Sequence, residues 1–320
     1  GMMHMDRRRF LFASVAIPFL PALRAPALIS SRSITTPRAG RARVRPGDPQ
    51  WPAPAAWDDL RERVGGRLIK VQSPLDVCRA ESGGASCAAV FAGLRNPFFI
   101  GDDPGLTQTS GWLDAWTSKP SVYAVAATST ADVVAAVTFA RDHNLRLVVK
   151  GGGHSYQGTS DAPDSLLVWT RHMHAITLHD AFVASGCSSG QTPQHAVTVE
   201  AGAMWIDVYD AVTTQAGRYV QGGGCATVGV AGLIQSGGFG SFSKLFGTAA
   251  SGLLEAEIVT ADGVVRIANA CTNPDLFWGI KGGGGGSLGV VTRLTLKTHE
   301  LPNYFGATSA TIKATSAITP

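Results

Sequence analysis

Apolar residues recur in short blocks separated by glycine, proline and polar turns, a spacing that predicts many short elements. A helical segment is expected over Trp57–Val64, with a strand-like stretch Arg67–Val71 after it. Between Thr130 and His143, Val133, Val134, Val137 and Phe139 fall at near-helical spacing, Ser129/Thr130 can open the helix, and Asp132 sits in its first turn. A buried strand, Leu145–Val149, then runs into Gly151-Gly152-Gly153-His154-Ser155-Tyr156-Gln157-Gly158, and Leu166–Trp169 reads as the next strand. A second unit starts with the strand-like Ala196–Gly202 and a helix over Trp205–Ala216, then reaches Gly222-Gly223-Gly224-Cys225. Strands return at Glu255–Thr260 and Val264–Ile267 across the turn Ala261-Asp262-Gly263, where glycine supplies positive φ. Pro274 opens a short helix to Ile280, and Val290–Leu296 alternates as a final strand. The pattern is α+β in two linked lobes.

The amino-terminal segment lies outside this pattern. Arg7-Arg8-Arg9 precedes an apolar run, Phe12 to Leu23, too short to span a bilayer, with small residues at Ala25-Pro26-Ala27. Residues 1–27 resemble a twin-arginine signal, so the protein is expected to be exported to the periplasm or beyond, with no stable membrane insertion after cleavage. Residues 28–56 read as a Pro/Arg-rich linker and 57–109 as an extension before the main domain. The formal charge of +4 is concentrated in arginines of these first segments, leaving a nearly neutral body, which argues against a nucleic-acid partner.

Five cysteines suit an oxidising destination. Cys78 and Cys87 enclose a short Gly/Ser loop that a disulfide could close. If Cys225 is spent on a cofactor, Cys187 and Cys271 remain, and the sequence leaves open whether they pair.

The chemistry sits in two glycine loops. Gly151, Gly152 and Gly153 would let consecutive backbone N–H groups converge on an anion such as a pyrophosphate, and His154 closes the run. Cys225 follows a second triple glycine, where a thiolate could act as a nucleophile. Each loop also has a plainer reading, as an ordinary glycine turn and a structural cysteine. Gly284-Gly285-Gly286-Ser287-Leu288-Gly289 matches GxGxxG by letter, but it opens a strand where a dinucleotide loop must open a helix, so nicotinamide binding is rejected. No Walker loop, Cys/His metal spacing or GxSxG elbow occurs, and His172, His174 and His179 are read as solvated or core residues.

Together, Val149–Gly158, Gly224-Cys225-Ala226-Thr227-Val228-Gly229 and Asn273-Pro274-Asp275-Leu276-Phe277-Trp278 with Lys281–Gly286 resemble the vanillyl-alcohol oxidase/p-cresol methylhydroxylase flavoproteins, most closely the berberine bridge enzyme-like group. The resemblance implies a PCMH-type FAD-binding domain over 110–300, with 301–320 entering a substrate domain that is largely missing. It implies covalent FAD, with His154 on the 8α-methyl carbon and Cys225 on ring carbon 6, and two tethers should raise the flavin's reduction potential. Gly151, Gly152, Gly153 and Ser155 would cradle the pyrophosphate, and Gly158 ends that loop. Gly224, Thr227, Val228, Gly229, Gly232, Gly237, Gly238 and Gly240 would pass close to the cofactor, and Ile258 and Val259 would lie near adenine. The family's usual Asp-Asn is replaced here by Ser251-Gly252. The implied reaction is oxidation of a small-molecule alcohol, of a sugar or secondary metabolite, with O2 as acceptor; the base is expected in the missing part. A flavin module that turns nothing over, and a dehydrogenase holding FAD reversibly, are the alternatives. Leu294, Leu296 and Phe305 are expected as an exposed apolar face.

Overall fold

The computed structural model describes residues 42–108, 119–187, 190–303 and 306–311. The expected signal, the linker before Ala42, the expected domain start at 110 and Phe305 lie outside these residues. In the first lobe, helix α1 (Pro54–Arg63) leads to strand β1 (Leu68–Lys70), and short helices α2 (Asp76–Ala80), α3 (Ala85–Gly93) and α4 (Pro97–Gly101) follow. Then come β2 (Tyr123–Ala126), α5 (Thr130–Asp142), β3 (Arg146–Lys150) and β4 (Ser165–Trp169). Their sheet has the order β1-β2-β4-β3, with β2 and β3 parallel to β4 and β1 antiparallel to β2.

β2 and β3 run the same way on either side of β4, so the chain must cross over between them, and α5 supplies that crossover. Its start is held as the sequence foretold: Ser129 Oγ accepts from the Asp132 amide at 3.3 Å. The Asp132 carboxylate reaches back to the Thr128 amide at 2.9 Å and takes Arg67 at 2.8 Å. Val133, Val137 and Phe139 bury one face of α5 against Trp57, Leu60, Leu166 and Val168.

The second lobe continues with β5 (Ile176–Phe182), β6 (Gln194–Glu200), helix α6 (Trp205–Tyr209) and β7 (Arg218–Val220). Then come α7 (Val230–Gln235), α8 (Ser243–Phe246), β8 (Leu253–Val259), β9 (Val265–Asn269), α9 (Pro274–Ile280) and β10 (Val290–Glu300). The antiparallel order is β5-β6-β10-β8-β9, and β7 pairs with the far end of β10. The long β10 is therefore central, which corrects one expectation: Leu294 and Leu296 are buried, packed with Val197, Val199 and Ala256. Their alternation marked one face of a strand but did not reveal that a neighbouring layer covers it.

The helix expected over Trp205–Ala216 is α-helical only to Tyr209 and continues as a π-helix, Asp210–Gln215. The turn at Ala261–Gly263 forms as expected, with Gly263 at φ 79° and the Thr260 amide donating to Val264 O at 3.1 Å. Gly289 leads straight into β10, in keeping with rejection of the GxGxxG reading. Both cysteine pairs are disulfides, Cys78–Cys87 and Cys187–Cys271, and Cys225 is a free, exposed thiol.

Candidate cofactor site

Two loops from different sheets meet at the site. The first follows β3, where Lys150 ends the strand and Gly151-Gly152-Gly153 turns the chain toward His154. The N–H groups of Gly152, Gly153, His154 and Ser155 donate to no acceptor among the described residues. Main-chain amides without partners are costly unless water or an anion meets them, so this loop presents a row of donors to a negatively charged guest. Gly158 takes φ 69° and closes the turn in which the Ser155 hydroxyl bonds Thr159.

The second loop follows β7. Tyr209 donates its hydroxyl to Gly223 O, Ile206 N–H donates to Ala226 O at 2.9 Å, and Trp205 N–H donates to Val228 O at 3.1 Å. These bonds from α6 shape the turn that carries Cys225. Gly224 and Cys225 are exposed, Thr227 is buried, and an added Cβ at Gly224 or Gly232 would meet nothing within 4 Å.

The loops touch along their backbones. A Cβ on Gly152 would lie 2.8 Å from Thr227 O and 3.0 Å from Gly229 N. Beside this contact His154 Nε2 and Thr227 Oγ1 are 2.9 Å apart. His154 Nδ1 makes no hydrogen bond among the described residues. Burial holds the imidazole pKa below its ordinary value, so the ring is neutral near pH 7 and Nδ1 can carry a lone pair while Nε2 is held by Thr227.

The other expected contacts fall nearby or in the core. Gly240 packs against Gly222 O, and Gly238 packs against Leu233, so the 237–240 segment lies beside the second loop. Gly229 caps α7, next to Val228. Ile258 and Val259 are fully buried among core side chains, which leaves only their main chain to meet a ligand. Ser251-Gly252 lies in a one-turn 3-10 helix where Ser251 Oγ bonds Thr248 O, with no carboxylate.

The arrangement fits a flavin dinucleotide on its own terms: amides for an anion, open space beside glycines, an exposed thiol and a neutral imidazole. Sequence reasoning missed Tyr209, whose role depends on a loop 14 residues away, and Thr107 and Gln108, which bond Gly153 O from the loop after α4. No local motif signals any of the three.

Residues 121–269 match the family described as an FAD binding domain. The FAD-linked oxidoreductase easE of Trichophyton verrucosum is 36% identical over 284 residues, which is 81% of this chain and 46% of that protein. The VAO-type flavoprotein MtVAO615 of Myceliophthora thermophila superposes with a TM-score of 0.71 at 31% identity, over 81% of this chain and 49% of its own. The glucooligosaccharide oxidase of Acremonium strictum, described with a 6-S-cysteinyl, 8α-N1-histidyl FAD, gives 0.51 at 27% identity, over 57% of this chain and 36% of its own. The chain carries an FAD-binding domain. Solved structures similar to it include VAO-type and berberine bridge enzyme-like flavoproteins. It spans about half the length of the curated relatives it matches.

Proposed function

We propose that this chain is the flavin-binding part of an FAD-dependent oxidoreductase, tethered to its cofactor through His154 and Cys225, that oxidises alcohol groups of a sugar or secondary metabolite. The observation that carries the reading is the meeting of the two loops: Gly152 against Gly229, and His154 bonded to Thr227, two residues from the exposed Cys225.

Bound FAD supplies hydride acceptance at N5, with O2 as the final acceptor and hydrogen peroxide as product. The chain's own residues bind and orient. The amides of Gly152, Gly153, His154 and Ser155 hold the pyrophosphate, with Gly151 and Gly158 shaping that loop. Gly224, Thr227, Val228, Gly229, Gly232, Gly237, Gly238 and Gly240 border the ring system, and the main chain of Ile258 and Val259 lies toward adenine. His154 Nδ1 would hold the flavin at its 8α carbon, with Thr227 fixing the tautomer, and the Cys225 sulfur would hold it at ring carbon 6. Each bond would replace a C–H of the flavin, release protons and leave the ring reduced by two electrons, which O2 would take up to give hydrogen peroxide. Folding before export through a twin-arginine signal at 1–27 suits a protein that takes up its cofactor early, and the two disulfides suit its destination. We further assign 57–109 as an extension, 110–300 as the FAD domain and 301–320 as the entry to a substrate domain.

Mass spectrometry of the denatured protein tests the tethers. Wild type and each of His154→Ala and Cys225→Ala should keep the mass of one flavin, and only the double variant should release it. Flavin freed from denatured wild type overturns the covalent assignment. The chain's half-length match motivates a second reading, a module that binds flavin and turns nothing over. Anaerobic mixing with candidate alcohols separates the two, since bleaching of the flavin absorbance means turnover.

A further inference from the structure

Lys150 is one of the largest fully buried side chains, and nothing in the proposed chemistry uses it. Its ammonium donates to Ile100 O at 2.9 Å and to the carbonyls of Asp103 and Leu106. Three N–H donors thus meet three main-chain acceptors at the end of α4 and in the loop after it. A Cβ on Gly153 would lie 2.8 Å from Lys150 Cε and 3.6 Å from Nζ, so the charge sits directly against the glycine loop.

The same segment grips that loop from its other side. Gln108 N–H donates to Gly153 O at 2.8 Å, and Thr107 Oγ1 reaches Gly153 O at 3.3 Å and Ser160 Oγ at 2.8 Å. A Cβ on Gly101 would stand 3.4 Å from Gly152 O. Residues 97–108 lie outside the matched 121–269 domain, yet they wall the loop whose amides have no partners among the described residues.

We infer that Lys150 is a positioning residue for the cofactor loop: its buried ammonium clamps segment 97–108 beneath Gly151–Ser155 and sets a fixed positive charge behind the amides that face the FAD pyrophosphate. The inference rests on the proposed FAD reading. Burial is the main influence on the lysine and lowers its pKa to about 8, opposed by Asp103, Asp161 and Asp102, so the charge persists at neutral pH. A buried ammonium is expensive unless its donors are satisfied, and here the three carbonyls satisfy them.

The test is hydrogen–deuterium exchange of the full chain combined with its flavin content, on wild type, Lys150→Met and Thr107→Val. Lys150→Met should speed exchange across 97–108 about a hundredfold, because three carbonyls lose a charged donor. It should also cut flavin per protein about tenfold, within the usual range of coupling between sites. Exchange in β6, β8 and β10 should hold steady. Faster exchange at 97–108 with full flavin would reduce Lys150 to a merely structural clamp and overturn the proposal, as would no change in either. If Lys150→Met loses protection throughout the sheet and has not folded, Thr107→Val decides: a flavin content down about threefold supports the clamp, and wild-type content overturns it. Failure of the FAD reading shows separately, as wild type carrying no flavin at all.

Discussion

Gly152→Ala is the sharpest perturbation of the site. The new methyl would sit 2.8 Å from Thr227 O and 3.0 Å from Gly229 N, against an ordinary contact of 3.4 Å or more. Both obstacles are main chain, so no rotamer change relieves them, and the loops must separate by about half an ångström. Neither loop is free to move: Gly153 O is held by Gln108 and Thr107, and Val230 N–H is tied to Ala203 O at 3.0 Å. The separation would stretch the 2.9 Å His154–Thr227 contact beyond useful length. Overpacking of about 1–3 kcal/mol plus a lost hydrogen bond of about 1 kcal/mol gives roughly 2–4 kcal/mol. In a body of this size that lowers Tm by about 5–12 °C. Thermal melts by circular dichroism read the stability, and denatured mass in a Cys225→Ala background reads attachment through His154. Gly224→Ala is the control, since its Cβ meets nothing within 4 Å, and it should leave Tm unchanged. A Gly152→Ala protein that melts with wild type and keeps its flavin would refute the backbone contact between the loops.

Thr227→Val keeps the shape but frees Nε2, so it should slow flavin attachment at His154 about tenfold in a Cys225→Ala background, read as covalent flavin over time after FAD is added. Removing Cys187–Cys271, which spans 84 residues, should cost about 4–5 kcal/mol, against about 2–3 for Cys78–Cys87, which spans nine, by denaturant titration of the paired Cys→Ala variants. Asp161 is buried with Oδ2 unpaired among the described residues, and burial raises its pKa to about 6 despite the Ser121 and Ala162 amides. With the folded pKa above the unfolded one, its contribution to stability is fully present below about pH 4 and is lost as pH rises through about 6. Asp161→Asn should therefore flatten the fall of Tm between pH 4 and pH 7, and an unaltered slope would assign that fall to other groups.

What the sequence made legible was local. The crossover helix could be read because Ser129, Asp132 and the valines are a cap and a stripe within one helix, and α9 could be read because proline sits at its first turn. His154 and Cys225 stood out because triple glycines next to a nucleophile are rare without a reason. Elements whose existence depends on distant partners stayed hidden. β7 is three residues long and forms only because Thr298, His299 and Glu300 extend β10 to meet it. β5 is largely exposed at the sheet edge and has little apolar alternation to announce it. Tyr209 needed the π-helical continuation beyond α6 and the fold of the 222–225 loop, neither of which has a sequence mark. Lys150 was visible as a letter before the glycines, but its burial follows from carbonyls some 44 to 50 residues earlier.

The same geometry gives a reason for using two loops. The His154 loop leaves the mixed sheet after β3, and the Cys225 loop leaves the antiparallel sheet's side strand β7, so neither sheet alone holds both nucleophiles. The sheets are joined below the site by shared core: Val259 and Val290 of the second lobe pack with Val133, Val137 and Leu145 of the first. Thr130 Oγ1 at the start of α5 also bonds Glu257 at 2.7 Å, and Glu257 in turn holds Thr292 and Arg293 on β10. A chain in which either lobe folds without docking would have the amide row or the thiol, but not the Gly152–Gly229 contact that brings them together. Flavin attached at both residues would therefore report the docked state, and it would also lock it, because a ligand bonded to both loops adds a covalent link across the interface. Glu257→Gln weakens the Thr130 and Arg293 contacts without touching either loop. It should lower the share of protein with both attachments while leaving either single attachment intact, a split that peptide mapping after proteolysis can read.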